Sequence, residues 1–214
     1  MQDDYLETFE TRGDRYNEAN LIQPRARLAE RQALIDLLGV DRQHIICDAP
    51  AGGGYLADGL RSLVENPQQI ICVDPSLAFA HAIDTAYTTH VAPVEAMPIG
   101  DDAVNRVGSP AGLHHLADKS CFFREAHRVL ATSGRFVLAD VLDNTPVAEF
   151  LNGPVDRYSV TGHRGLFVSE GECSDLLDAA GFNDIEETYR DVHWRFSSET
   201  EMVEYCALLF GLEG

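Results

Sequence analysis

Three groups of residues in this 214-residue chain have the types and spacing to do chemistry. The first is the run Ile45-Ile46-Cys47-Asp48-Ala49-Pro50-Ala51-Gly52-Gly53-Gly54-Tyr55-Leu56. It reads as a buried strand that ends on an acid, turns through bare glycines and starts a helix. Glycine permits the tight turn and lets a ligand approach the main chain. The free amides of a helix start attract a negative group. The second group is Asp74, which follows the apolar run Ile70-Ile71-Cys72-Val73. An acid at such a strand end can accept both hydroxyls of a ribose. The third is the pair His114 and His115, whose imidazoles titrate in the range that suits a general base.

The glycine loop alone leaves two ligands open. Gly52-x-Gly54-x-x-Ala57 matches the dinucleotide fingerprint. Asp48 favours the other ligand, because a carboxylate at the turn repels a pyrophosphate. S-adenosylmethionine carries no phosphate but has a carboxylate, an ammonium and a sulfonium. Helix amides would take its carboxylate while Asp48 faces its cationic part. Asp74 suits both ligands. An NAD(P)-dependent oxidoreductase and a non-catalytic S-adenosylmethionine-binding protein stand as the competing functions. The bland alternative for Asp48 and Asp74 is a pair of strand-end turn residues.

The elements that must position these groups alternate between strand and helix. Strand-like runs cover 44–48, 69–74, 90–94, 104–109 and 135–141, and helical ones 24–38, 55–64, 122–130 and 169–180. Residues 185–196 read as an antiparallel strand pair, and a last helix follows Ser198. Ser169 with Glu172, and Ser198 with Glu201, have capping-box spacing. The pattern predicts one α/β unit over 1–214. Its sheet is doubly wound, mostly parallel, seven-stranded and Rossmann-like, with the antiparallel pair at its C-terminal end. Residues 1–40 form an N-terminal helical cap or lid. Residues 142–168, rich in Gly, Pro and Asp, break the repeat and read as an acceptor-side insertion or lid, or as plain surface packing.

In order along the chain, four blocks resemble the class I S-adenosylmethionine-dependent methyltransferases of the small-molecule type, similar to the ubiquinone and menaquinone methyltransferase group. Asp48-Ala49-Pro50-Ala51-Gly52-Gly53-Gly54 resembles the D-x-G-x-G-x-G loop. Cys72-Val73-Asp74-Pro75-Ser76 resembles the ribose-binding strand end, and Pro93-Val94-Glu95-Ala96-Met97-Pro98 the block D-A-E-x-L-P. Leu113-His114-His115-Leu116-Ala117-Asp118, with Arg128-Val129-Leu130 and Gly134 to Asp140, resembles the fourth. The resemblance implies methyl transfer from S-adenosylmethionine to a small-molecule acceptor, with O- or C-methylation favoured by the histidine pair. It implies cofactor contacts at Tyr16, Asp48, Pro50, Gly52, Gly54, Asp74, Pro75, Val94, Glu95 and Ser109, and catalytic roles for His114 and His115, whose alternative is packing or capping. Pro93 stands where the family has an acid for the adenine amino group, so adenine would rest on the Val94 backbone and apolar packing. His163 and Arg164, in the suspected lid, are in reach of an acceptor.

Metal-dependent relatives place acids at the ends of the fourth and fifth strands. Here Ser109 takes the first place, and Asp140 is followed by Val141. His114, His115 and Asp118 lack a second cluster to complete a site, so no metal is expected. The net charge of −19 disfavours nucleic acid and anionic membrane as partners. Arg25, Arg27 and Arg31 read as a solvated helix face. Five cysteines, an odd number with no CxxC pair, read as reduced thiols in a cytoplasmic protein, Cys47 and Cys72 among the core. A monomer or homodimer is expected.

Overall fold

The computed structural model describes residues 3–213. Strands β1 (Ile46–Asp48), β2 (Ile70–Asp74), β3 (Thr88–Val91), β4 (Val104–Pro110) and β5 (Leu130–Ala139) form one sheet, ordered β3-β2-β1-β4-β5 and parallel throughout. Period-2 alternation sends their side chains to two cores. Ile46, Ile70 and Cys72 pack on one face against Leu34, Leu38, Leu56 and Leu60, from α2 (Leu28–Leu38) and α3 (Tyr55–Leu60). Cys47, Val73 and Val107 pack on the other against Phe122, Phe123 and Val129 of α5 (Lys119–Val129), with Cys173 of α8 (Glu172–Ala180). Coverage of both faces explains why the strands read as continuous apolar runs.

A third layer uses the segments outside the repeat. α1 (Asp3–Ile22) packs against α4 (Leu77–Ala82) through Tyr5, Phe9 and Phe79. Its other contact is with α9 (Glu199–Phe210), where Ala19 joins Tyr205, Leu209 and Phe210. The same cluster holds Ala148, Leu151, Val155 and Phe167 from α6 (Pro146–Phe150), a π-helical stretch (Leu151–Val155) and the loop after α7 (Asp156–Tyr158).

The sheet has five strands rather than seven, and the expected antiparallel pair over 185–196 is absent among the described residues. Two forces pull this segment out of register. Glu187 turns to accept from the Gly171 and Ser174 N–H groups, at 2.9 and 3.0 Å, at the start of α8. Trp194 and Phe196 are drawn into the cluster beneath α9, and Arg195 N–H donates to Ala26 O at 3.0 Å. The helix caps follow the sequence in part. Ser198 Oγ accepts from Glu201 N–H at 3.2 Å as its spacing implies. Gly171, not Ser169, caps α8. Arg27 is buried rather than solvated: it pairs with Glu30 and lies between the Tyr55 and Trp194 rings, 4.9 and 5.2 Å from their centroids. Cys47 and Cys72 are fully buried free thiols, as expected.

Gly108 of β4 shows how tightly a helix seats on the sheet. A Cβ there would lie 2.5 Å from Leu56 Cδ2 and 3.3 Å from Leu38 Cδ1. Gly108→Ala should therefore destabilise the fold by about 1–3 kcal/mol through overpacking, read as a lower urea midpoint at unchanged slope.

Candidate active site

The chain runs outward from β1 to β3 on one side and through β4 to β5 on the other. Strand order thus reverses between β1 and β4, and in such sheets a ligand crevice opens beyond the carboxyl ends at that point. Register places Asp48 beside Gly108, with Ser109 next in line. Both polar side chains are buried there. Asp48 Oδ2 accepts from Ala57 N–H at 3.0 Å and so caps the first turn of α3. Asp48 Oδ1 and Ser109 Oγ have no hydrogen-bond partner among the described residues. An unsatisfied buried polar atom costs about 1–3 kcal/mol, so two at one switch point mark a place shaped for a polar ligand. Burial pushes the Asp48 carboxyl well above the usual range; the Ala57 N–H opposes this, while Asp74 and Asp58 add to it. A cation bound there would reverse that shift and be held by the charge it restores.

The glycine turn has two differently used sides. Gly52 and Gly54 take positive φ, 52° and 86°, the region glycine permits. The space a Cβ would fill at Gly52 is open, whereas at Gly53 it would collide with the Asn17 side chain of α1. Pro50, joined to Ala49 by a cis peptide, packs against Gly112 closely enough to exclude any side chain there.

Asp74 is fully buried at the end of β2. Its carboxylate accepts from Gly52 N–H at 2.8 Å, from Ser76 N–H at 2.9 Å and from the Tyr5 hydroxyl at 3.1 Å. Burial raises it to about 6, against the pull of those three donors. Tyr5 therefore covers this acid, whereas the expected cofactor contact from the same helix was Tyr16. Tyr16 instead accepts from Arg27 at 2.9 Å and sets its ring edge against Phe9 and Phe79. The spacing of Tyr5, Phe9, Arg12 and Tyr16 along one helical face was the available signal for Tyr5. Pro75 follows Asp74 half-buried; Val94, fully buried, and Glu95, half-buried, lie in the turn after β3.

His114 and His115 sit on a short 3₁₀ turn after β4. His114 Nδ1 lies 2.7 Å from Asp140 Oδ1, just past the end of β5. Asp140 also accepts from the Val141 and His114 N–H groups, at 2.7 and 3.1 Å. Burial alone would raise this carboxyl, but attraction to His114 and these hydrogen bonds win and hold it below the usual range. An ionised Asp140 accepts only, so Nδ1 carries a proton, and in the neutral ring Nε2 is the nitrogen with the lone pair. The His115 ring lies 4.1 Å from that of His114 and 5.4 Å from that of Tyr5. Tyr5 thus joins the acid of β2 to the histidines of β4 in one site.

The segment over 142–168 closes the histidine side. Leu166 N–H donates to His114 O at 2.8 Å, and the His163 ring lies 5.5 Å from that of His114. Burial and the nearby His114 lower His163 to about 4, and burial with both neighbouring histidines pushes His115 well down. A cavity of about 380 Å³ opens here between Tyr5, Arg12, His115, His163 and Arg164. A larger cavity, about 580 Å³, lies between Gln23–Ala29 and His193–Ser197 and touches none of these groups.

Residues 47–138 match the family described as "Methyltransferase domain". The chain is 28% identical over 103 residues to an arsenite methyltransferase of Halobacterium salinarum, covering 48% of this chain and 26% of that protein. It therefore spans about a quarter of the length of that curated relative. Its fold is similar to that of a SAM-dependent methyltransferase from Thermotoga maritima, with a TM-score of 0.70 and 22% identity, covering 84% of this chain and 81% of that one. It is also similar to a chain in the complex of the Haloferax volcanii Trm112 methyltransferase activator with a methyltransferase, with a TM-score of 0.67 and 17% identity, covering 96% and 93%. No helix among the described residues is long and apolar enough to cross a membrane.

The contact between Gly53 and Asn17 gives a test of how α1 is held. Gly53→Ala should push α1 off the turn, seen as faster amide exchange over 3–22 with the sheet still protected. Adding Asn17→Ala should restore slow exchange.

Proposed function

We propose that the protein is a class I, S-adenosylmethionine-dependent methyltransferase, on the premise of the methyltransferase-domain match over residues 47–138, and that it transfers a methyl group to a small-molecule acceptor held beside His114. The observation that carries this reading is the partnerless, buried Asp48 Oδ1 at the switch point, next to an open glycine turn. A zwitterionic, sulfonium-bearing ligand satisfies that oxygen, whereas a diphosphate would face it with like charge.

The residues present fit such a ligand. Asp74 would take the ribose hydroxyls in place of the Tyr5 hydroxyl, and the main chain at Gly52 would lie against the amino-acid part. Ser109, near the end of β4, and Pro75, Val94 and Glu95, on the loops after β2 and β3, would lie around it. When bound, the sulfonium supplies an electrophilic methyl carbon, whose bond to sulfur breaks as an acceptor lone pair forms the new bond, the electrons staying on sulfur.

The protein's own task is then to position the acceptor, exclude water and take one proton. His114 Nε2 is the free nitrogen for that proton, and Asp140 offsets the charge that forms on the ring, the arrangement of a carboxylate-oriented base. A base suits a hydroxyl or carbon acid as acceptor, so O- or C-methylation is favoured. The cavity lined by Arg12 and Arg164 suits an acceptor that carries an anionic or polar group. Residues 142–168 act as the acceptor-side lid and α1 as the cofactor-side one.

Calorimetry with S-adenosylhomocysteine, and label transfer from methyl-labelled S-adenosylmethionine to a panel of small phenols, carboxylic acids and amines, test the reading. Binding and transfer are expected; absence of S-adenosylhomocysteine binding overturns it. Affinity should fall as pH drops through about 6, because Asp74 must be ionised to accept the hydroxyls. Asp74→Asn should bind weakly at all pH and lose that dependence. With an acceptor identified, His114→Ala should lower kcat by about 10²–10⁴-fold, with S-adenosylhomocysteine affinity little changed.

A further inference from the structure

Three imidazoles from two distant parts of the chain meet at one point, and we propose that His114, His115 and His163 bind a divalent transition-metal ion. The inference rests on the assignment of this site to the acceptor, adds an ion to it and, with the ion bound, replaces the base role of His114 by that of a ligand. One ring nitrogen of each residue lies within 4.8 Å of the others. Metal–nitrogen bonds of about 2.0–2.1 Å would set tetrahedral ligands about 3.3 Å apart, so binding an ion would draw the three rings together. From the sequence, Asp118 seemed the third member of the group. In the fold it caps α5 through Ser120 N–H at 3.0 Å, out in solvent, and the third ligand comes from the 142–168 segment instead.

The surroundings are those of a ligand set. Asp140 holds His114 by Nδ1, which leaves Nε2 to coordinate. Asn152 Oδ1 lies 3.4 Å from His163 Nδ1 and leaves its Nε2 in the same way. Carboxylate or amide partners of this kind fix the tautomer and strengthen the ligand. The His115 side chain is set by ring contacts, edge-on to Tyr5 and Phe9 at 5.4 and 5.3 Å. If packing alone were the purpose, apolar rings would bury here without the cost of polar nitrogens. Three nitrogen donors suit zinc, iron, cobalt or nickel rather than magnesium or calcium.

The charges facing the cluster nearly balance. Asp140 and Asp156 stand against Arg12 and Arg164. An added dication is therefore best completed by an anionic fourth ligand, and the open side faces the cavity where the acceptor would lie. An acceptor hydroxyl bound there through oxygen would lose its proton to water more readily, as a metal-bound oxygen does. His114 would then serve as ligand and not as base.

The test is a titration of Co²⁺ into chelator-treated protein, followed by visible absorption. Saturation at one equivalent with intense tetrahedral bands is expected. His163→Ala and His115→Ala should abolish those bands, Asp140→Asn should weaken binding about 10–100-fold, and Asp118→Asn should bind as the wild type does. No binding by the wild type, or bands unchanged in His163→Ala, overturns the proposal. Should a variant misfold, X-ray absorption of the zinc-loaded wild type decides: a shell with three nitrogens at about 2.0–2.1 Å supports it, and a sulfur or oxygen-only shell overturns it. S-adenosylhomocysteine calorimetry on the same samples separates the two readings. Retained nucleoside binding without metal sinks only the ion; metal binding without nucleoside sinks the cofactor.

Discussion

One buried carboxylate ties the site together. Asp74 gathers donors from three segments that are distant in sequence: the glycine turn after β1, the start of α4 and, through Tyr5, the N-terminal helix. Neutralising three N–H and O–H groups at a single point fixes how far the turn stands from β2 and how closely α1 approaches the sheet. Glu10 adds to the same clasp, accepting from Ser76 Oγ at 3.1 Å and from Leu77 N–H at 2.8 Å. The cost is a desolvated acid, and that cost is what makes the position responsive to a ligand able to replace Tyr5.

Electrostatics divides the site into two halves with opposite needs. On the β1–β2 side, Asp48 and Asp74 are acids pushed up by burial, short of positive partners. On the β4–β5 side, Asp140 is an acid held down by a histidine and two amides, and its neighbours are imidazoles and Arg12. The chain as a whole is strongly acidic, yet on the β4–β5 side Arg12 and Arg164 offset Asp140 and Asp156. A cationic group is drawn to the first half and an electron-rich one is not repelled from the second, a polarity that suits the proposed methyl transfer.

Much of this was legible in the residues. The alternation of Ile46, Cys47, Ile70 and Cys72 between two core faces followed from unbroken apolar runs, and the strand-end acids and glycines followed from their spacing. What failed did so for tertiary reasons. Residues 185–196 alternate like strands but are claimed by the cap of α8 and by the aromatic cluster under α9, neither visible locally. Arg27 looked solvated because a partner three residues on, Glu30, suits a surface helix face and nothing nearby announces Tyr55 and Trp194 converging on it. Tyr5 was passed over for Tyr16 because both lie on the same helical face and only the docking angle of α1 decides between them. His163 could be suspected but not placed, since 142–168 carries no periodicity to aim it.

The docking of α1 has a consequence for traffic through the protein. Asp74 has no exposed surface, so whatever reaches it must first displace Tyr5. Tyr5 rides on the helix that also contributes Arg12 to the neighbouring cavity and seats Asn17 on the glycine turn. The compartments that the proposal gives to nucleoside and acceptor thus share one door. On that proposal spent cofactor could not depart without unroofing the product as well, and one twenty-residue helix would have to swing for both.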